Sequence, residues 1–283
     1  MPELPEVETI KKGLNRYLKG HTIQDVLIYD PLRVTGSSEN ILGSTIVGVQ
    51  RRGKGLVIKL NNDYVIAVHV KMTGQLIYRG ERTKEIILSQ KVKKLPNTYT
   101  RVIFTLDGNA SLFYNDIRRF GWIQILPYHT IKSIPFFRSL GPEPFGEGEN
   151  RLSFAYFSSI VKSSMSPIKT LLLDQHKIGG IGNIYANDAL YEAKIDPRRF
   201  STSLTNEEIK TLYEVIHSLL LFSIEKGGAS DTNFVNALGQ DGMYQDYFKV
   251  YGKKDTQCKN CGDIIKRVVV AGRATFICLT CQK

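Results

Sequence analysis

Hydrophobic residues recur at helical spacing at the very start of the chain. Pro5 suits a first helical turn and Gly20 suits a stop. The apolar positions between them are Val7, Ile10, Leu14, Tyr17 and Leu18. Because spacings of three and four residues place side chains on one helical face, the pattern predicts an N-terminal amphipathic helix that packs against a core.

Short segments rich in β-branched and aromatic residues follow this helix. Turn-forming residues separate them, as in Asn61–Asp63 and Asp107–Asn109. The predicted strands are Thr22–Tyr29, Ser44–Arg51, Leu56–Leu60, Tyr64–His69, Gln75–Tyr78, Thr100–Leu106, Ala110–Tyr114 and Trp122–Ile125. Many short strands at close spacing are typical of a β-sandwich or barrel.

The composition changes after Trp122–Pro127. Gly141–Gly148, which includes Glu147, is rich in turn residues and indicates an interdomain linker. Farther on, Thr205 and Glu208 have the spacing of a capping box, an apolar helical face follows, and Gly227–Gly228 ends it. We therefore predict an N-terminal domain over 1–133, a linker over 134–152, a helical domain over 153–249 and a cysteine-containing module over 250–283.

Charge and hydropathy restrict the class of protein. The formal net charge is +11 and the pI is about 9.4, as expected of a protein that lies along phosphates, although a generally basic proteome produces the same excess. No apolar run is long enough for a membrane span. The acidic start, with Glu3, Glu6 and Glu8, does not resemble a signal peptide. The sequence predicts a cytoplasmic protein.

All four cysteines lie in the last 26 residues, as two CxxC pairs: Cys258, Cys261, Cys278 and Cys281. Four thiolates at this spacing are typical of one tetrahedral structural zinc ion, with no open position for chemistry. Two disulfides are disfavoured in a reducing cytosol, and an iron–sulfur centre is the remaining alternative. Arg273 follows Gly272 in a predicted turn, so we expect it at the tip of a hairpin.

Motifs spread along the chain resemble those of bacterial formamidopyrimidine-DNA glycosylases. The segments that carry the resemblance are Met1–Glu8 (MPELPEVE), Arg51–Lys54 (RRGK), His69–Gly74 (HVKMTG), Asn115–Gly121 (NDIRRFG), Ile168–Lys169, Gly182–Ala186 (GNIYA) and the cysteine module with Ala271–Thr275. They occur in the family's order over nearly the whole chain. The resemblance implies an α+β protein with an N-terminal β-sandwich behind a leading helix, then a helix–two-turns–helix domain and a zinc-finger β-hairpin.

The resemblance also implies a bifunctional glycosylase and AP lyase. Pro2, once the initiator Met is removed, would be the amine nucleophile that attacks the sugar C1′ and cuts the backbone by β,δ-elimination. Glu3 would be the general acid, Lys54 would assist elimination, and Arg273 would be a catalytic residue that grips phosphates and takes part in the second elimination. Glu6 either supports this network or complements the helix dipole.

Further residues match the family's DNA-binding positions. Met72, Arg118 and Phe120 would fill the gap left by an extruded base, which must leave the stack before chemistry. Lys169 and Asn183 would bind phosphates. The implied partner is double-stranded DNA that contains oxidised bases or abasic sites, and the implied state is a monomer.

The sequence departs from the family pattern in three places. Pro96–Thr100 replaces a stretch that carries two histidines in relatives. Asn187-Asp188 replaces Asp-Glu, and Thr232, in the loop Gly228–Phe234 that covers 8-oxoguanine in relatives, replaces a basic residue. Base preference therefore stays open at this stage.

Three functions compete. A glycosylase for oxidised purines, 8-oxoguanine and formamidopyrimidines, is favoured by Leu4 and by the residues at 72, 118 and 120. An endonuclease VIII-like glycosylase would prefer oxidised pyrimidines. A non-catalytic damage-binding protein would not need Pro2, Glu3 and Lys54.

Overall fold

The computed structural model describes residues 1–146 and 148–283; Glu147, in the predicted linker, lies outside the described residues. The chain forms two compact units. One comprises Met1–Arg138 with Ile224–Gln245, and the other comprises Ser139–Ser223 with Asp246–Lys283.

The first unit begins with helix α1 (Leu4–Leu18), which buries the apolar face that its sequence predicts. Nine strands follow: β1 (Ile23–Ile28), β2 (Val34–Thr35), β3 (Ile46–Arg52), β4 (Gly55–Leu60), β5 (Tyr64–His69), β6 (Gly74–Arg79), β7 (Thr100–Leu106), β8 (Ala110–Asp116) and β9 (Trp122–Pro127). A short helix, α2 (Pro135–Arg138), ends this part of the chain.

These strands form two sheets that share one hydrophobic core. One sheet has the order β1-β7-β8-β6, and the other has the order β2-β9-β5-β4-β3. Neighbouring strands are antiparallel except β2 and β9. Side chains from both sheets and from α1, such as Ile10, Ile58 and Phe104, are buried in the same cluster. The alternation of inward and outward positions thus produces the predicted β-sandwich.

The second unit is helical and ends in a hairpin. Its helices are α3 (Phe154–Ser163), α4 (Ile168–Leu173), α5 (Asn183–Glu192) and most of α6 (Asn206–Glu225). Residues 174–182, with Gly179 to Gly182, join α4 to α5. The predicted capping box of α6 is present, because Glu208 N–H donates to Thr205 Oγ1 at 3.2 Å and Thr205 N–H donates to Glu208 Oε2 at 2.8 Å. The hairpin consists of β10 (Lys266–Val270) and β11 (Arg273–Ile277). The predicted α+β architecture is confirmed.

The two units differ from the predicted domains in their boundaries. Ile134 and Phe137, placed in the linker by sequence, are buried against Val57 and Val65 of the first unit. Residues 226–245 follow α6 directly, yet they and the last two residues of α6 also belong to that unit. Two contacts of Ala237 explain this. Its carbonyl accepts the N–H of Tyr78 at 2.8 Å, and its methyl group packs against Gly13 of α1 so closely that a Cβ at position 13 would clash with it.

No helix within residues 1–146 and 148–283 combines the length and the apolar composition needed to cross a bilayer.

Candidate functional site

The first residues of the chain are held at the N-terminus of α1. Pro2 and Glu3 are buried. One carboxylate oxygen of Glu6 accepts the N–H of Glu3 at 2.8 Å, and the other accepts the N–H of Ala229 at 2.8 Å. Glu6 therefore fixes the segment that carries Pro2 and joins it to the start of loop 228–234.

Lys54 lies in the two-residue turn between β3 and β4, where Gly53 adopts a φ of +57°. Its side chain is buried. The turn is tied to α1 by Arg51, which donates to the Gly53 carbonyl at 3.0 Å and to Glu8 Oε2 at 2.9 Å. Since Glu8 belongs to α1, one ion pair fixes the hairpin of Lys54 to the helix that begins beside Pro2.

Glu8 is ionised in this arrangement. Burial alone would raise the pKa of Glu8, but the hydrogen bond from Lys11 and the charge of Arg51 outweigh it, so the pKa of Glu8 is lowered. The pair between Arg51 and Glu8 is well shielded, because both side chains are largely covered. Shielded pairs with good hydrogen-bond geometry resist screening by salt better than exposed ones.

His69 is a buried site residue to which the sequence analysis assigned no role. It ends β5, packs edge-on against Phe136, and accepts the N–H of Lys71 on Nδ1 at 3.0 Å. Desolvation, followed by the charges of Lys71 and Lys54, lowers the pKa of His69 to about 3. The ring is therefore neutral and carries its proton on Nε2. Its place in the HVKMTG motif is the feature of the sequence that could have indicated a role for His69.

The residues predicted to fill the DNA gap lie on two adjoining turns. Met72 is exposed in a tight turn closed by a bond from Gly74 N–H to the Val70 carbonyl at 2.8 Å. Arg118 and Phe120 are exposed in the turn after β8, with the Arg118 guanidinium 4.6 Å from the centroid of the Phe120 ring.

Asp116 connects these two turns. Its carboxylate accepts the hydroxyl of Thr73 at 2.5 Å and the N–H of Gly121 at 2.8 Å, and the N–H of Arg118 donates to Thr73 Oγ1 at 2.9 Å. Thr73 follows Met72 directly. The buried carboxylate of Asp116 therefore holds the turn of Met72 next to the turn that carries Arg118 and Phe120.

Loop 228–234 is anchored at several points. Ser230 N–H donates to Gln245 Oε1 at 2.8 Å, and Gln75 Nε2 donates to the Asn233 carbonyl at 2.8 Å. Thr232, at the position for which the resemblance implied a basic residue, is exposed. Lys91 donates to the Ser230 carbonyl at 2.8 Å, so a cation reaches this loop from a distant part of the sequence.

In the second unit, Lys169 and Asn183 converge on the cysteine hairpin. Lys169 is buried, and its ammonium group donates to the Ala274 carbonyl at 3.0 Å and to Thr275 Oγ1 at 2.7 Å. Asn183 Nδ2 donates to the same carbonyl at 3.0 Å. Both side chains therefore position the strand that begins with Arg273, and their predicted phosphate contacts stay predictions.

Arg273 is exposed at the first position of β11, as expected for the hairpin tip. The turn before it contains Ala271 and Gly272, with φ values of +47° and +72°. Two successive positive φ values define the tight hairpin turn that matches the twist of antiparallel strands.

The four cysteines form one cluster. Their four Sγ atoms lie within 4.8 Å of one another, with 3.7 Å between Cys258 and Cys281 and 3.4 Å between Cys261 and Cys278. Zn–S bonds of about 2.3 Å in a tetrahedron separate sulfurs by roughly 3.8 Å. The set thus fits one structural zinc ion. Tyr191 Oη lies 3.1 Å from Cys258 Sγ and supplies an outer hydrogen bond to a thiolate.

Comparison with known proteins agrees with this geometry. Residues 1–123 match the formamidopyrimidine-DNA glycosylase N-terminal domain, residues 140–234 match the formamidopyrimidine-DNA glycosylase H2TH domain, and residues 257–283 match the zinc finger found in FPG and IleRS. A formamidopyrimidine-DNA glycosylase of Streptococcus mutans is 37% identical over 287 residues, which cover 100% of both chains.

Solved structures show the same architecture. The MutM (Fpg) protein of Thermus thermophilus has a TM-score of 0.86 and 36% identity, over 99% of this chain and 98% of that one. The Lactococcus lactis Fpg in complex with DNA containing N7-benzyl-Fapy-dG has a TM-score of 0.87 and 30% identity over all of both chains. The same protein with abasic-site DNA has a TM-score of 0.87 and 29% identity over 99% of both chains.

A β-sandwich with a buried N-terminal segment, a helix–two-turns–helix unit and a four-cysteine hairpin define a DNA-repair glycosylase. The chain belongs to the formamidopyrimidine-DNA glycosylase family. It is thus a glycosylase that acts on damaged DNA.

Proposed function

We propose that the protein excises oxidised purines, 8-oxoguanine and formamidopyrimidines, from duplex DNA and then cleaves the backbone as an AP lyase. The observation that carries the proposal is the arrangement at the start of α1, where Pro2 and Glu3 are buried beside the Glu6 carboxylate that fixes them. We place the reaction in the cytoplasm, with a monomeric enzyme.

The first step is nucleophilic substitution at C1′. Removal of Met1 leaves Pro2 as a secondary amine, and an α-amino group titrates near pH 8, so part of it is neutral at physiological pH. Its lone pair forms the N–C1′ bond while the glycosidic bond breaks and its electron pair leaves with the base. The departing base takes up the N–H proton of the ammonium formed at Pro2. The freed nitrogen lone pair then expels O4′, which Glu3 protonates as the C1′–O4′ bond opens, and an iminium remains between Pro2 and C1′.

Elimination follows from the iminium. The cation acidifies C2′–H; loss of that proton expels the 3′ phosphate, and a second elimination expels the 5′ phosphate. Water then hydrolyses the iminium and restores the amine. We assign Lys54, a cation in the same unit as Pro2, to these elimination steps. We assign Arg273 to phosphate binding. The zinc ion, when bound, only holds the hairpin of Arg273.

Two features support the purine preference over the pyrimidine alternative: Leu4, and the set formed by Met72, Arg118 and Phe120. Lys91 bonds to the Ser230 carbonyl of this loop, but its ammonium group is also paired with Asp241 at 2.8 Å, so it does not take the place of a basic residue at position 232. A non-catalytic role is disfavoured, because Pro2, Glu3 and Lys54 are all retained and buried in one unit.

A substrate panel tests the proposal. Duplexes with 8-oxoguanine opposite cytosine, an oxidised pyrimidine, or an abasic site are incubated with enzyme and with Glu3→Gln. We expect excision of the purine lesion, a cut with phosphate at both ends, and a loss of at least about 100-fold in Glu3→Gln, as for a general acid. Excision of the pyrimidine alone would establish the endonuclease VIII-like function, and binding without excision of any lesion would establish the non-catalytic one.

A further inference from the structure

A cleft of about 470 Å³ opens in the first unit, at the end of the sandwich that lies away from the start of α1. Helix α1 begins beside Pro2 and lines the cleft with its last turn, so its 15 residues separate the two places by about 22 Å. Strand β6 agrees with this, because Gly74 follows the turn of Met72, whereas Tyr78 near the other end of β6 lines the cleft. The cleft is therefore distinct from the site described above.

The size and the lining of the cleft suit a small molecule. Its volume falls within the range of about 300–1,000 Å³ that is typical of small-molecule sites. Cationic and aromatic side chains dominate the lining, together with the carboxylates of Glu81 and Asp107. We call it the tyrosine cleft and define it by Arg16, Tyr17, Lys19, His21, Tyr78 and Arg82.

Hydrogen bonds and ring contacts fix the walls of the tyrosine cleft. His21 donates from Nδ1 to Asp107 Oδ1 at 2.5 Å, and its Nε2 lies 3.1 Å from the Tyr78 hydroxyl. The Tyr17 and Tyr78 rings stack with their centroids 5.5 Å apart. A Cβ at Gly80 would stand 2.5 Å from the Tyr78 hydroxyl, so glycine at this position leaves room for it. Fixed walls lower the entropy that is lost when a ligand binds.

Both carboxylates at the tyrosine cleft already have cationic or hydrogen-bonding partners. Asp107 is bonded to His21, and Glu81 Oε2 lies 2.9 Å from Lys84 Nζ. A cationic ligand would have to compete with these partners. The charges of the carboxylates therefore do not favour a cation in the cleft.

The three cations of the tyrosine cleft, in contrast, have no carboxylate partner in the described part of the chain. They are Arg16, Lys19 and Arg82. Arg16 and Lys19 also complement the carboxyl end of α1, but Arg82 comes from the turn after β6 and has no such role. Burial raises the pKa of Tyr78, and the charge of Arg82 opposes this, so Arg82 lies close to the tyrosine pair. Guanidinium groups bind phosphate in bidentate geometry, so this convergence favours a phosphorylated ligand.

We propose that the tyrosine cleft binds a nucleoside monophosphate, a ligand separate from the duplex DNA of the proposed function. Its phosphate contacts Arg16, Lys19 and Arg82, and its base packs against the half-buried Tyr17 beside His21. A base is favoured over a bare anion, because inorganic phosphate would leave the aromatic wall uncovered. Aromatic side chains stack on every base, so the cleft accepts purine and pyrimidine nucleotides alike.

Calorimetric titration of the zinc-loaded full chain tests the proposal. The DNA site is first filled with duplex that carries a stable abasic-site analogue, and AMP, CMP, adenosine or inorganic phosphate is then added. We expect one AMP or CMP per chain, and binding of adenosine and of inorganic phosphate that is weaker by about tenfold or more. Absence of saturable binding by both nucleotides, or equal affinity for inorganic phosphate, would overturn the inference. Tighter binding of a 5′-phosphorylated oligonucleotide would overturn it too, by assigning the cleft to a strand end.

Substitution of the cations locates the ligand. Arg16→Ala and Arg82→Ala should each weaken AMP binding about fivefold or more, because a charged hydrogen bond to phosphate is lost. Lys132→Ala is the control, since it removes an exposed cation of the first unit outside the cleft. Both arginine variants should retain wild-type affinity for the duplex. A parallel loss of duplex affinity would place these cations in the DNA-binding surface, and wild-type AMP affinity in both would exclude the cleft; either result overturns the inference.

Substitution of Tyr17 tests the contact with the base. Tyr17→Leu should weaken AMP binding about fivefold or more but leave the weak binding of inorganic phosphate unchanged, whereas Tyr17→Phe should bind AMP like the wild type. Trp122 fluorescence during denaturation verifies that the first unit of each variant is folded. Unchanged AMP affinity in folded Tyr17→Leu would contradict the proposed position of the base.

Discussion

His69 is a single buried imidazole whose burial has a consequence for stability. Its pKa is about 3 in the folded protein and about 6.5 in an unfolded chain. Because the folded pKa is depressed, folding favours the neutral ring. The stabilising contribution is complete above pH 6.5 and is lost as the pH falls from 6.5 towards 3.

We predict that the free energy of unfolding of the first unit falls by about 2 kcal/mol between pH 7 and pH 5 because of His69. His69→Gln, which does not titrate, should remove most of this pH dependence. Trp122, the only tryptophan, lies in β9 of this unit, so denaturant titrations followed by its fluorescence measure the effect. An equally steep pH dependence in His69→Gln would assign it to other groups.

The site residues differ in how much local sequence says about them. Pro2, Lys54 and the cysteines lie in motifs or spacings that indicate their chemical roles. His69 acquires its depressed pKa only from Phe136, Lys71 and Lys54, and two of these are distant in sequence. Likewise Lys169 looks like a phosphate ligand, whereas its bonds to Ala274 and Thr275 exist only once the hairpin has packed.

At the scale of elements, α5 organises the cysteine hairpin. Asp188 is completely buried and accepts three backbone N–H groups, from Lys249, Val250 and Tyr251, at 3.0–3.1 Å. Burial raises the pKa of Asp188, and the three bonds partly offset this. Asn187 accepts the N–H of Phe276 at 2.8 Å. The Asn187-Asp188 pair, a departure from the family pattern, thus anchors both the segment 249–251 before the cysteines and the second strand of the hairpin.

We predict that Asp188→Ala destabilises the second unit by about 3 kcal/mol or more, since three buried donors lose their acceptor. Asp188→Asn keeps one acceptor oxygen and should cost less. Glu214→Ala, at an exposed and loosely paired position on α6, should change stability by less than about 0.5 kcal/mol. Far-ultraviolet circular dichroism during denaturation measures all three; equal stability of Asp188→Ala and Glu214→Ala would contradict the anchoring role.

Helices and strands with a clear hydrophobic periodicity could be predicted from the sequence, whereas very short strands could not. The strands Tyr64–His69 and Thr100–Leu106 have the predicted bounds, because turn residues flank an apolar run. Strand β2 has two residues and exists only through parallel pairing with β9, so no period could indicate it. Residues 226–245 follow a helix along the chain, but their place in the first unit depends on contacts with Gly13 and Tyr78.

At the scale of the whole molecule, DNA binding should depend on both units while folding does not. We predict that Cys258→Ser, or chelation of zinc, abolishes binding to damaged duplex DNA. Loss of one thiolate leaves the hairpin of Arg273 without its metal, whereas the sandwich has its own core. Trp122 fluorescence should therefore report an unchanged unfolding transition of the first unit. Retained binding after verified zinc loss would refute this.

The identity of the nucleophile is the claim on which the mechanism depends. Borohydride reduces an iminium to a stable amine, so enzyme incubated with 8-oxoguanine duplex DNA and borohydride should become covalently joined to DNA. Peptide mapping of that adduct by mass spectrometry locates the bond. We predict that the sugar remnant lies on the nitrogen of Pro2, in a peptide that lacks Met1, and that Pro2→Gly forms less adduct. A remnant on Lys54 or another lysine, or an unmodified Met1–Pro2 peptide in fully active enzyme, would contradict the account.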